Sequence, residues 1–385
     1  MKSAFAANIA ALCCVLSGCL CLLNAADANQ FAYISSSQGI SEYRVNSDGS
    51  LKTLQTGLNI ATPNAMRLFI DPTIRTLLAV DDTADSSSSS DGLSDRIHIY
   101  KIDKEGKLLP QITGAVAAGL AVQKGAYDFR LHFLYLLGVH YPTCEEELVV
   151  YNVSRPSHPV KRQTIVFPEG EKAFKAEDIF EDTKNASLFL LGSRTSFDRV
   201  RSVGELQRYN ADPTADFPLK CVANYAVDVN LLIGMPLNQH LVFGDSANQL
   251  VTYKFNAKAG VSLSARTLIP KTVTGVYPWG MAYRAVGSFL YVGLYNMADS
   301  ARSGTQPSTV VAYHISKAGQ FSLLKTASTP PVVDPQPFLD KSGRYLYVIS
   351  QGSNRLDACK IGSDGKLSRP FFHLQIEQPT KIVFM

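Results

Sequence analysis

The chain has 385 residues, 46% of them hydrophobic and 18% charged. That balance excludes a disordered polyelectrolyte, because there is ample apolar surface to bury. The 26 glycines and 19 prolines are an ordinary globular share, and a net charge of +4 is too weak over this length to point to nucleic acid.

The first segment reads as a leader. Lys2 supplies a thin positive region, Ala4 to Leu23 is apolar except for Asn8 and Ser17, and Ala26-Asp27-Ala28 offers small residues for cleavage. Residues 1–28 are therefore expected to be a signal peptide, giving a secreted or periplasmic protein. Leu16-Ser17-Gly18-Cys19 also fits a lipoprotein box, so a lipid anchor at Cys19 is the alternative, and an uncleaved anchor is a third. No other apolar run is long enough to span a membrane. Outside the leader only Cys144, Cys221 and Cys359 remain, an odd number that argues against a disulfide framework.

From Phe31 onward one phrase recurs: an apolar run, a polar turn, a second run ending near Tyr, a tight Gly turn, then Leu or Phe. The first copy is Phe31-Ala32-Tyr33-Ile34, Ile40-Ser41-Glu42-Tyr43 and Asp48-Gly49-Ser50-Leu51. The second runs through Leu77–Val80, Ile97–Tyr100 and Glu105-Gly106-Lys107-Leu108. The third and fourth, Phe133–Leu136 with Leu148–Tyr151 and Leu188–Leu191 with Leu206–Tyr209, lack the Gly turn. The fifth is Leu241–Phe243 with Leu250–Tyr253, followed by Gly260. The sixth and seventh are Phe289–Val292 with Val310–Tyr313 and Gly319, and Tyr345–Val348 with Leu356–Cys359 and Gly365. Tyr43 to Gly49, Tyr100 to Gly106, Tyr313 to Gly319 and Cys359 to Gly365 are each six residues apart. Successive anchors recur about every 53 residues, the length of a four-stranded propeller blade with its loops.

Short apolar stretches such as Met66–Ile70, Leu231–Ile233 and Met281–Tyr283 precede these runs and read as innermost strands. No dozen residues sustain a 3.6-residue period, so long helices are not expected. The first blade lacks an innermost strand, whereas Lys381-Ile382-Val383-Phe384 is such a strand without a blade. The expected fold is all-β: a single seven-bladed β-propeller of four-stranded blades over residues 29–385. The C-terminal strand pairs into the first blade and closes the ring. The tyrosines at 43, 100, 151, 209, 253 and 313 follow the blade period and are expected in the core.

The phrase resembles that of the seven-bladed lactonase propellers, a group that includes one type of 6-phosphogluconolactonase and the carboxy-cis,cis-muconate cyclases. The copies beginning at Phe31, Phe289 and Tyr345 carry the resemblance best. It implies a lactonase-like or cyclase-like activity, and with an export leader ahead of it the expected substrate is a small unphosphorylated lactone or organic acid. Thr62-Pro63-Asn64, Ala176-Glu177-Asp178, Val229-Asn230, Tyr277-Pro278-Trp279, Pro335-Gln336-Pro337 and Gln378-Pro379-Thr380 open the innermost strands and contain no His, where those enzymes tend to carry one. A non-catalytic propeller that binds a protein or carbohydrate at the channel mouth is therefore the alternative.

In a propeller the residues just past each second strand, and those opening each innermost strand, converge on one mouth. Lactone opening needs a base for water and donors for the developing oxyanion. His140 and Glu177 as bases and Arg194 as oxyanion partner fit that need from adjacent blades. Asp82, Asp245, Trp279, Tyr283 and Asn296 are expected to contribute ligand contacts at the same mouth. Asp81, Gln351 and Asp178 belong to the same convergent set.

The acidic, serine-rich stretch from Asp81 to Asp95 lacks the spacing of a calcium loop and reads as a solvated loop. There is no Gly-x-Ser-x-Gly, His-Glu-x-x-His or phosphate-binding Gly loop, which disfavours serine-hydrolase, zinc-protease and nucleotide functions. No cofactor, metal or nucleic-acid partner is expected, and the chain is expected to be a monomer.

Overall fold

The computed structural model describes residues 30–54, 65–81, 94–110, 115–141, 143–167, 174–182, 186–195, 202–228, 231–237, 239–256, 260–269, 276–296, 309–324 and 334–385. The leader with Cys19, and Asp82 with the rest of the acidic loop to residue 93, lie outside them, as do Thr62-Pro63-Asn64 and Val229-Asn230.

The recurrent phrase folds as expected. Each of seven sheets has four antiparallel strands, and in six of them the strands follow chain order from the channel outward. In the remaining sheet the C-terminal strand Lys381–Phe384 takes the innermost place beside Phe31–Ser36. Ala32 faces Phe384 and Ser35 faces Lys381, while Phe31 and Met385 exchange backbone hydrogen bonds at 3.0 and 2.9 Å.

The middle strands are covered on both faces by neighbouring blades, so they read as continuous apolar runs rather than alternating ones. All six residues of Phe31–Ser36, Thr76–Asp81, His240–Asp245 and Tyr345–Ser350 are buried. Side chains alternate between the two seams of a blade. Phe31 and Tyr33 pack with Leu68 and Tyr100 of blade 2, while Ala32 and Ile34 pack with Tyr347 and Ile349 of blade 7. The core is accordingly a set of interblade clusters, and the six tyrosines of the repeat are all buried within them.

The glycine turns lock the seams. Gly106 has φ +86°, and a Cβ there would meet the Phe31 ring at 2.2 Å. Tyr33 Oη donates to the Gly106 carbonyl oxygen at 2.8 Å, from blade 1 to the turn of blade 2. Tyr291 does the same to Gly365 and Tyr347 to Gly49, at 3.0 and 2.7 Å. Gly106→Ala adds a left-handed backbone penalty of about 1–2 kcal/mol to an overpacking cost of about 1–3 kcal/mol. The variant should lose roughly 2–5 kcal/mol, seen as a lower urea midpoint with an unchanged slope.

The outer strands differ in length from blade to blade. Blades 3 to 5 have outer strands Val160–Phe167, Leu219–Val227 and Gly260–Leu268, against Val116–Ala117 and Phe321–Leu323 in blades 2 and 6. Cys144 and Cys221 are exposed and Cys359 is buried, and no disulfide joins the three to one another. Burial pushes the Cys359 thiol up to about 12.

Candidate functional site

Five innermost strands carry a bulge at the same register position. The pairing skips Met66, Gln123, Glu177, Leu232 and Trp279 in blades 2 to 6. A bulge inserts one residue and re-aims the side chain that follows. The residues just after it, Arg67, Lys124, Asp178, Ile233 and Gly280, face equivalent positions of their second strands. The unbulged blades 1 and 7 place Lys381 and Gln336 at that same level. One residue from each blade thus forms a collar around the axis.

A cavity of about 420 Å³ opens at this collar, lined by Arg67, Lys124, Asp178, Gln336 and Lys381, with Gln351 from the end of a second strand. Among the described lining residues, three side chains of cationic type therefore surround a single carboxylate. Asp178 is 14% exposed; its Oδ2 accepts from the Gly234 amide at 2.9 Å and its Oδ1 lies 3.7 Å from Lys124 Nζ. Burial raises the Asp178 carboxyl above the usual carboxylate range, with Lys124 opposing. Burial lowers the Lys381 ammonium, with the Asp178 charge opposing. Lys381 Nζ also sits 4.9 Å from the centre of the Phe338 ring. The Arg67 guanidinium donates to the Gln123 carbonyl, which fixes it across the seam between blades 2 and 3. Thr380 Oγ1 bonds the Ala65 carbonyl at 3.0 Å and anchors the strand that carries Lys381.

The residues expected at the mouth fall in several places. His140 ends its strand half-buried and lies 3.2 Å from Thr143 Oγ1 through Nδ1. Arg194 makes a two-pronged ion pair with Glu205 of the adjacent strand, and its guanidinium covers the Phe174 ring at 5.7 Å. Glu177 is the bulged residue itself, 4.0 Å from Lys175 Nζ. Each of these three is bonded within its own blade. Asp245 is buried and accepts from the Ala247 and Gln249 amides at 2.9 and 2.8 Å, so its carboxylate closes a turn. Asp81 is likewise occupied, by His98 at 2.8 Å and the Arg96 amide at 2.7 Å.

Tyr283 lies near the far end of its strand, next to the turn at Ala285–Ser288, and lines a cavity on the face opposite the mouth. Trp279 and Asn296 belong to strands of blade 6, while their side chains lie outside the described residues. Asp178 and Gln351 from the expected convergent set do line the channel. Arg67 and Lys124 carried no signal as site residues, because strict alternation along an unbulged strand does not place them, whereas Gln336 lies in a strand opening already expected at the mouth and Lys381 directly follows another. Among the described residues no His, Cys, Asp and Glu side chains gather as a metal-binding set. No helix there is long and apolar enough to cross a membrane.

A seven-bladed β-propeller with a charged collar around its channel is thus the class of protein the chain defines. Among solved structures its fold is shared by lactonase-type propellers. The periplasmic gluconolactonase PpgL of Pseudomonas aeruginosa superposes with a TM-score of 0.73 at 16% identity, over 93% of this chain and 99% of that one. A protein from Lactobacillus plantarum gives 0.68 at 16% identity, again over 93% and 99%. A candidate 6-phosphogluconolactonase from Bacteroides uniformis gives 0.71 at 12% identity, over the same shares. No protein-family model matches the sequence, and no curated protein matches it.

Proposed function

We propose that this chain is an exported hydrolase that opens a small unphosphorylated lactone in its central channel. The observation that carries the reading is the collar: register-equivalent positions bring Arg67, Lys124 and Lys381 around Asp178 in one cavity. Its volume suits a single sugar-sized ring. The fold it shares with the Pseudomonas aeruginosa gluconolactonase supports the substrate class, and the apolar leader supports export.

The chemistry follows from the charges. Asp178 is a carboxylate with raised basicity and takes a proton from water as the water oxygen bonds to the acyl carbon. Lys381 and Arg67 stabilise the charge that develops on the carbonyl oxygen. The ring carbon–oxygen bond then breaks, and Asp178 returns the proton to the departing alkoxide. The carboxylic acid so formed releases its proton to solvent, and the remaining cation, Lys124, helps to hold the resulting carboxylate.

Hydrolysis of glucono-δ-lactone and other sugar lactones, followed as acid release at constant pH, tests this. Asp178→Asn should lower kcat by about 10²–10⁴-fold, the usual share of a general base. Lys381→Met should lower kcat and raise KM together. His140→Ala and Arg194→Ala should leave turnover close to wild type, because those side chains are bonded within their own blades. Wild-type protein that does not exceed the buffer rate removes the catalytic reading. Gluconate binding that persists in that case would make the channel a binding site, in line with the non-catalytic alternative.

A further inference from the structure

Four blades carry the tight glycine turn six residues after the third-strand anchor. In three of these turns the preceding blade supplies two aromatic contacts. Phe31, Phe289 and Tyr345 cover the glycines, and Tyr33, Tyr291 and Tyr347 hydrogen-bond the glycine carbonyls. The fourth turn, at Gly319 of blade 6, departs from this. Register places His240 where the others have Phe or Tyr, and Val242 where they have the bonding Tyr. A Cβ at Gly319 would meet the His240 ring at 2.8 Å, so the imidazole still covers the glycine, while the strut is missing.

At this seam, on the face away from the channel mouth, lies a cavity of about 340 Å³. Leu237, His240, Tyr283, Ile315, Ser316 and Lys317 are among its lining residues. The His240 side chain belongs to a residue only 7% exposed, and its ring makes no hydrogen bond to a described residue. Two further buried hydroxyls of the same seam, Thr252 Oγ1 and Tyr313 Oη, have no hydrogen-bond partner among the described residues. A buried polar group without a partner costs free energy, and of these three only His240 lines the cavity, so its ring is where a ligand would supply one.

We propose that this seam is a second binding site, which takes a small aromatic carboxylate. Leu237, Ile315 and the Tyr283 ring offer apolar walls to a flat body. Among the described lining residues Lys317 is the only Lys, Arg, Asp or Glu, so an anion is favoured over a cation. The imidazole supplies a directional hydrogen bond at the buried end. Burial, aided by the charge of Lys254, keeps His240 below the usual histidine value, so its ring is neutral and can accept from a phenolic hydroxyl. The volume lies within the range of small-molecule sites, about 300–1,000 Å³. This site is separate from the collar and does not depend on the lactone reading.

Calorimetric titration of 4-hydroxybenzoate into the full-length protein tests the proposal. One saturable site is expected. His240→Phe installs the side chain that blades 1 and 6 already place at this position, so the fold is kept and only the ring nitrogen is lost. It should weaken binding at least about tenfold. Lys317→Gln should weaken 4-hydroxybenzoate and remove its preference over uncharged 4-hydroxybenzamide. Lys381→Met, in the channel, should leave the titration unchanged. An unchanged thermal midpoint in H240F shows that lost binding is not lost folding. Absence of saturable binding to the wild type, equal affinity in H240F, or loss of binding in K381M would each overturn the proposal.

Discussion

Removal of residues 381–385 is expected to abolish cooperative folding. The segment supplies the innermost strand of blade 1, pairing from Ala32–Phe384 to Ser35–Lys381. Its Ile382 and Phe384 are 2% and 8% exposed, packed against blade 7, and Val383 packs on the other seam with blades 1 and 2. Truncation of side chains like these costs about 2–5 kcal/mol each, so losing both removes roughly 4–10 kcal/mol. That is of the order of the whole stability of a domain, about 5–15 kcal/mol. Phe31–Ser36 would also face the channel with an unpaired edge, which invites pairing with other chains. The truncated protein should show no sharp urea transition and should associate, as judged by circular dichroism and light scattering. Full-length Ile382→Ala should instead stay folded with a lower midpoint. A truncated protein with a wild-type transition would show that the ring does not need its closing strand.

Raising the pH from about 5 to 9 is expected to weaken the folded state by several kcal/mol through Glu181 alone. Glu181 sits on the innermost strand of blade 4, and its Oε2 is buried with no hydrogen-bond partner among the described residues. Burial first, and then the charge of Asp128, push its carboxyl from 4.5 up to about 9, with Arg130 opposing and Asp182 adding to the rise. The folded-state value is therefore raised above the unfolded one. The stability tied to its proton is complete below about pH 4.5 and is lost progressively as pH climbs through the window to about 9. Within it the slope is about 1.4 kcal/mol per pH unit. Glu181→Gln keeps the size and the neutral form. Urea midpoints of the two proteins should coincide at pH 4 and diverge in favour of the variant at pH 8.5. Parallel profiles across that range would show that the carboxylate is not desolvated in the folded chain.

Much of the architecture was legible because it is written in repetition. The six-residue step from the third-strand anchor to its glycine marks a hairpin whose backbone only Gly adopts easily, as at Gly106 with φ +86°. The orphan strand at Lys381–Phe384 and the missing one before Phe31 implied each other, since a sheet edge inside the ring needs a partner. Blade number, strand order and the burial of the tyrosine column all followed from these local facts.

The site was legible only in part, and the reason is geometric. Expectation placed His140, Glu177 and Arg194 together from their positions near strand ends on adjacent blades. Arg194 is instead neutralised by Glu205 across its own hairpin, a pairing set by strand register. Tyr283 was placed at the mouth by its membership of an innermost strand, yet it stands close to the opposite end.

Period, anchors and turns along the chain therefore sufficed for the ring, because backbone hydrogen bonding and two-sided burial translate directly into residue pattern. Which side chains enter the channel followed from that pattern only in part, as for Asp178 and Gln351. One bulged residue in each of five innermost strands shifts the alternation by a step, turning Arg67, Lys124 and Asp178 toward the axis. Whether such a bulge forms depends on how neighbouring strands pack around the ring, and that information resides in the folded assembly of blades rather than in any single stretch of residues.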